Sequence, residues 1–286
     1  MVVIGGPGDK ILPYPIYQTK MANGLNVVTV PYDSPGLAAF YIIMRVGSRD
    51  EVDAGRSGFA HFFEHMMFRG TEKYPKEAYS NALKATGASA NANTWLDRTV
   101  YHMTGNASML DKMFELESDR FMNLKYSVQD FKTEAGAVKG EYTKNSASPY
   151  EQLDEKTNDV AFTAHTYKHT TMGFLKDIED MPNQFEYSKT FFDRWYRPEH
   201  TTVIIAGDVT AEQVLPLVRL RDVVRGDDEQ WKQASSPWTL EERGNRWYGR
   251  GTADMKGFLA AVLAIGGTPF FSGFYSKDEI LDKWLS

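Results

Sequence analysis

The sequence predicts an α+β fold: a mixed, mostly antiparallel sheet packed against helices. Three observations predict it. Short valine- and isoleucine-rich segments open the chain, a long block with helical spacing occupies its middle, and one apolar strand returns after that block. At 286 residues, 42% of them hydrophobic, the chain can bury one large core or two modest ones.

Taken in order, Tyr17 to Lys20 and Leu25 to Pro31 flank an Ala22-Asn23-Gly24 turn and predict a hairpin. Ala38 to Val46 adds a third strand. Gly58 to Phe68 and Lys76 to Thr86 have helical spacing, the second behind Pro75 as a start signal. Ser89 to Thr94 and Arg98 to Thr104 then predict two more strands. Helices follow over Met109 to Met122, Val128 to Lys144, Tyr150 to Phe162 and Asn183 to Trp195, with Asp111, Asp130 and Glu151 in their first turns. Thr201 to Ala206 is the returning strand, closed by Gly207-Asp208. Past Arg219 the texture turns polar and turn-rich, so a boundary is placed there, with 1–219 as one domain and 220–286 as a poorly packed tail.

The net charge of −6 and pI near 5.6 leave no basic surface for phosphates, so nucleic acid is not an expected partner. With no cysteine, any metal must sit on histidine and carboxylate. Met1 to Pro15 lacks the basic start and apolar core of a secretory signal, and Phe258 to Ile265 is too short to span a bilayer. As written the chain reads as cytoplasmic and not membrane-bound, with a periplasmic location if a signal lies upstream.

The strongest chemical signal is His61-Phe62-Phe63-Glu64-His65. Residues four apart on a helix share a face, so both imidazoles can address one ion, with Glu64 beside them as a general base. A catalytic zinc takes one further protein ligand and keeps an open position for water. Glu141 is the best candidate, on a helix whose Glu134 and Glu141, seven residues apart, share a face. His165 and His169 are also four apart but lack a carboxylate in the matching place, and they read as structural or surface groups in a loop. His102 reads as a strand histidine and His200 as part of a turn.

HFFEH within GFAHFFEHMMFRGT, then NANTWLDRTVYH, TEAGAVKGEYTKN and YRPEHTTVIIAGDV, together resemble the pitrilysin/insulinase peptidases, the zinc proteases with the inverted motif. The blocks occur in that family's order over about residues 14 to 218. The resemblance implies one zinc per chain on His61, His65 and Glu141, with Glu64 as base and Glu134 as a supporting acid behind Glu141. It also implies that Ala90, Asn91, Ala92, Asn93 and Thr94 form an edge strand to which a substrate peptide adds as a further strand. Such enzymes close two related halves on a peptide, and the second half, or a second copy, is the implied partner. In the tail, GRGTADMKGFLAAVLA resembles acetylornithine deacetylase and its di-zinc relatives, with Asp254 at the bridging position, although Leu220-Arg221-Asp222 stands where His-x-Asp is needed. TPFFSGFYSKDEIL is similar to a piece of chain L of the membrane NADH-quinone oxidoreductase. The expected function is therefore a zinc endopeptidase acting on extended or unfolded peptides and incomplete without its second half. The alternatives are a non-catalytic binding half of the same fold and an inert truncated fusion product, and the intact Glu64 favours the first reading.

Overall fold

A computed structural model of the chain describes residues 1–220 apart from 7, 9, 10 and 12, together with the backbone of 241–243 and 246–248. Packing divides the chain into two units, Met1–Pro7 with Tyr14–Gly226 and Gly8–Pro13 with Asp227–Ser286. In the second unit, Glu241–Arg243 pairs antiparallel with Arg246–Tyr248.

The first unit is built on a seven-stranded sheet. In chain order the strands are β1 (Val2–Ile4), β2 (Ile16–Lys20), β3 (Asn26–Pro31), β4 (Leu37–Met44), β5 (Ser89–Thr94), β6 (Thr99–Asn106) and β7 (Thr201–Gly207). Across the sheet they run β1-β2-β3-β7-β4-β6-β5, antiparallel throughout except for the parallel pair β3 and β7. The helices are α1 (Phe59–Met66), α2 (Lys76–Thr86), α3 (Leu110–Asn123), α4 (Val128–Asn145), α5 (Pro149–Ala161), α6 (Leu175–Asp180), α7 (Phe185–Trp195) and α8 (Ala211–Leu220). The α+β class expected from the sequence holds. The returning apolar strand is inserted at the centre of the sheet, between β3 and β4, where both of its edges are paired.

Strand alternation decides which side chains meet the helices. Phe40 lies opposite both Ile205 and Met103, and Ile42 opposite both Val203 and Tyr101, so these six share one face. All six are at most 1% exposed. Phe114 of α3 packs against Phe40 with tilted rings 4.5 Å apart between centroids, and the Tyr101 hydroxyl donates to the Phe63 carbonyl of α1 at 3.2 Å. The other face is less covered, with Tyr41 stacked on His102 and both half-buried.

Three elements lay outside the sequence reading: β1, α6 and α8. β1 is three exposed residues and α6 six residues, too short to show a period. Pro216 inside α8 removes a helical donor and argues against a helix there, although buried Ala211, Val214 and Val218 keep helical spacing. A start signal was nevertheless present, because Gln213 N–H donates to Thr210 Oγ1 at 3.3 Å and Thr210 N–H to Gln213 Oε1 at 2.9 Å, a capping box.

Candidate metal centre

Two helices face each other to form the site. α1 is short and buried almost all round: Phe59, Ala60, Phe62, Phe63 and Met66 have no measurable exposure. Its start is a glycine for a steric reason. Gly58 has φ of 90°, and a Cβ there would lie 2.3 Å from Ile178 Cδ1. α4 begins at a capping box in which Asp130 N–H donates to Ser127 Oγ at 3.1 Å and Ser127 N–H to Asp130 Oδ2 at 2.9 Å. Phe131, Ala135 and Val138 bury one stripe of α4. That anchoring turns Glu134 and Glu141 toward α1.

The result is a convergence of three donor atoms. His61 Nε2 and His65 Nε2 are 3.2 Å apart, and Glu141 Oε2 lies 3.6 Å from the first and 3.2 Å from the second. Among the described residues these three form the cluster with metal-ligand geometry. Ligand atoms about 2.0–2.1 Å from a tetrahedral zinc stand ~3.3 Å from one another, so the donor set fits that ion without rearrangement. His61 Nδ1 is buried and has no hydrogen-bond partner among the described residues.

Each group's acidity has a local cause. Burial, reinforced by the neighbouring His65, pushes His61 down to about 4, which leaves its nitrogen lone pair free at neutral pH. His65 is raised, mainly by the hydrogen bond from Nδ1 to Glu134 Oε1 at 3.0 Å. Burial pushes Glu134 upward, but the hydrogen bonds from His65 and Arg69 outweigh it and hold the carboxyl below its ordinary value. Arg69 Nε donates to Glu134 Oε2. Glu134 therefore stands behind His65 rather than behind Glu141, where the resemblance had put it. The seven-residue spacing fixed its helix face but could not say which imidazole lay across the gap.

Glu64 is half-buried, and burial raises its pKa, against a hydrogen bond from Thr94 Oγ1 to Glu64 Oε2 at 2.6 Å. That bond ties the acid to the end of β5. Among the described residues β5 is an edge strand, paired with β6 alone. Ala90, Ala92 and Thr94 turn toward the helices, whereas Asn91 and Asn93 turn to the other face, opposite His102 and Val100. Ala92 N–H donates to Asn91 Oδ1 at 2.9 Å, so this amide points away from β6 toward the open edge. Asn93 Oδ1 accepts from Arg98 Nη1. A cleft of about 270 Å³ beside the donors is lined by Glu64, His65, Phe68, Arg69, Lys76, Asn91 and Glu134.

The remaining histidines lie elsewhere. His165 Nδ1 accepts from Tyr167 N–H in a short turn, His169 is buried with Nδ1 donating to the Thr170 carbonyl, and His200 ends the turn Pro198–His200. Arg69 was missed in the sequence reading. It lies in the turn just past the end of α1, four residues after His65, and that proximity in sequence was the available signal. Asp254 and both tail resemblances lie outside the described residues.

With fold and donor set in place, comparison with known proteins is informative. The profile of the insulinase family (peptidase family M16) matches residues 27–174, that of the M16 inactive domain residues 184–225, and that of peptidase family M20/M25/M40 residues 221–266. The chain belongs to the insulinase family of peptidases. It is similar to the zinc protease PqqE of Helicobacter pylori, 31% identical over 199 residues, which are 69% of this chain and 44% of that protein. The crystal structure of a protease from Helicobacter pylori superposes with a TM-score of 0.72 at 28% identity, covering 77% of this chain and 52% of the other. The first half of the periplasmic protease PqqL from Escherichia coli has the same fold, with a TM-score of 0.66 at 20% identity over 83% of this chain and 51% of that one. The chain spans less than half the length of the curated relatives it matches.

Proposed function

We propose that this chain is the zinc-binding half of an endopeptidase that cleaves extended or unfolded peptides, and that a second half supplies the opposite wall of its cleft. The observation that carries the proposal is the convergence of His61, His65 and Glu141 on a single point, with an unligated acid, Glu64, on the same helix. In this reading the three side chains hold one zinc ion. Zinc in such a site lowers the pKa of a coordinated water to roughly 7 and polarises a carbonyl.

The chain's own residues then have separable tasks. Glu64 takes a proton and returns it to the leaving amine, and its raised pKa suits both steps near neutral pH. Thr94 Oγ1 holds the Glu64 carboxyl in place. Glu134, braced by Arg69, keeps His65 Nδ1 protonated and its Nε2 free to ligate, which makes it a positioning residue. A peptide adding to the edge of β5 along Ala90 to Thr94 takes its register from main-chain hydrogen bonds, and the strand delivers it to Glu64 because Thr94 contacts both strand and base. A domain of the same family is the natural second wall, since the site lies at a strand edge and an open cleft and excludes water poorly by itself.

Glu64→Gln is the direct test. The variant is expected to bind one zinc per chain as tightly as the parent while hydrolysis of an unstructured peptide disappears. Zinc loading near zero in the parent, or hydrolysis that survives the substitution, refutes the reading.

A further inference from the structure

Two of the three proposed metal ligands, His61 and His65, sit on a helix that cannot cap itself. α1 has eight residues, and its cap position is Gly58, which offers no side chain to the first helical N–H groups. Those groups lie at the buried end of the helix, where an unpaired donor is costly. Ser57, Phe59 and Ala60 around them are at most 3% exposed.

Glu51, seven residues upstream of the cap, fills the gap. One oxygen, Oε2, accepts from Gly58 N–H at 2.7 Å, and the other, Oε1, accepts from Ala60 N–H at 2.7 Å. The residue is 4% exposed, and burial pushes its pKa up to about 8 against the pull of those two donors. A group placed so deep leaves no route for water to take over its hydrogen bonds. Its own backbone is held by the short turn Ser48–Asp50, where Glu51 N–H donates to the Ser48 carbonyl at 3.3 Å. A second brace lies alongside: Asp177 Oδ2 accepts from Ser57 Oγ at 2.6 Å, and Ser57 Oγ accepts from Phe174 N–H at 2.8 Å.

Ala60 directly precedes His61, so the amide held by Glu51 lies one peptide unit before the first ligand. We propose that Glu51 is a positioning residue for His61: by bonding the amides of the cap residue Gly58 and of Ala60 at the start of α1, it holds the His61 ring where Nε2 meets His65 and Glu141 before any metal arrives. The inference rests on the reading of His61 as a zinc ligand. It makes zinc affinity depend on a carboxyl that does not touch the ion, because a loosened first turn must be re-ordered whenever zinc binds.

The test uses the full chain with zinc alone, measuring affinity by chelator competition and, separately, thermal unfolding of the metal-free protein. Glu51→Gln keeps the size but offers one acceptor where two are needed. It is expected to retain the far-ultraviolet circular dichroism of the parent and to bind zinc about tenfold more weakly or worse, in the range found when groups supporting a metal ligand are removed. If its affinity stays within twofold of the parent while only the metal-free melting point falls, Glu51 is structural and the proposal is wrong. If Glu51→Gln does not fold, Glu51→Asp, which reaches only one of the two donors, is read the same way: severalfold weaker zinc binding supports the proposal and unchanged binding overturns it. A parent chain that binds no zinc refutes the metal-centre reading itself, an outcome distinct from either of these.

Discussion

His61 and His65 are one helical turn apart, yet their neighbours drive their acidities in opposite directions. Burial lowers His61 to about 4, and the Glu134 carboxylate raises His65. In the metal-free protein at mildly acid pH, His65 therefore holds a proton and His61 does not. Zinc must displace that proton, so affinity falls as pH drops below the raised pKa of His65, and a second proton competes only near pH 4. Plotting log Kd against pH should show about one proton released per zinc between those limits, and a slope of two throughout would contradict the assignment. Arg69→Gln tests the brace on Glu134. Loss of the guanidinium frees one carboxylate oxygen, and zinc affinity is expected to fall by roughly tenfold with little change in the fold, because Arg69 is only half-buried. At this scale the sequence pointed to His61, His65 and Glu141, which the structure brings together, through the HxxEH spacing and a helix with two acids seven apart. It did not show the pairing of Glu134 with His65, or Glu51 as the remote cap, since neither follows from local spacing.

Two elements control how the site is presented. α1 requires its leading glycine, so Gly58→Ala should destabilise the protein by about 1–3 kcal/mol through the left-handed backbone alone, and more once Ile178 has to move. Equilibrium denaturation measures it, and an unchanged midpoint would show that α1 starts differently. β5 matters through its free edge. Proline is tolerated where a strand amide faces away from the ladder, and the Ala92 amide does so. Ala92→Pro is therefore expected to leave zinc binding intact and to raise KM for peptide substrates by several-fold, because it removes one main-chain donor. An unchanged KM would place the substrate elsewhere. The helices and strands with strong periods were legible from sequence, whereas α8 was hidden by Pro216, and β1 and α6 by their brevity.

At the scale of the molecule, the donor set lies within the unit formed by Met1–Pro7 and Tyr14–Gly226. A chain ending at Gly226 is expected to fold and bind zinc with the affinity of the full chain, measured by the same chelator competition, and a large loss would assign residues 227–286 a role in the site. The relatives are more than twice as long as the matched segment. Supplying a second-half domain of the same family in trans is expected to raise peptide hydrolysis well above that of the chain alone, without altering zinc content.

What the sequence determined by itself was local: strand and helix periods, the ligand residue types, and the absence of cysteine that confines any metal to imidazole and carboxylate. The tertiary structure decided what depends on contacts between distant segments. It inserted β7 between β3 and β4, put Glu134 behind His65, tied Glu64 to the edge of β5 and reached back to Glu51 to cap α1. The physical reason is that a helix or strand period reports which face of an element is buried, whereas the partner across that face is chosen by packing between elements far apart in the chain.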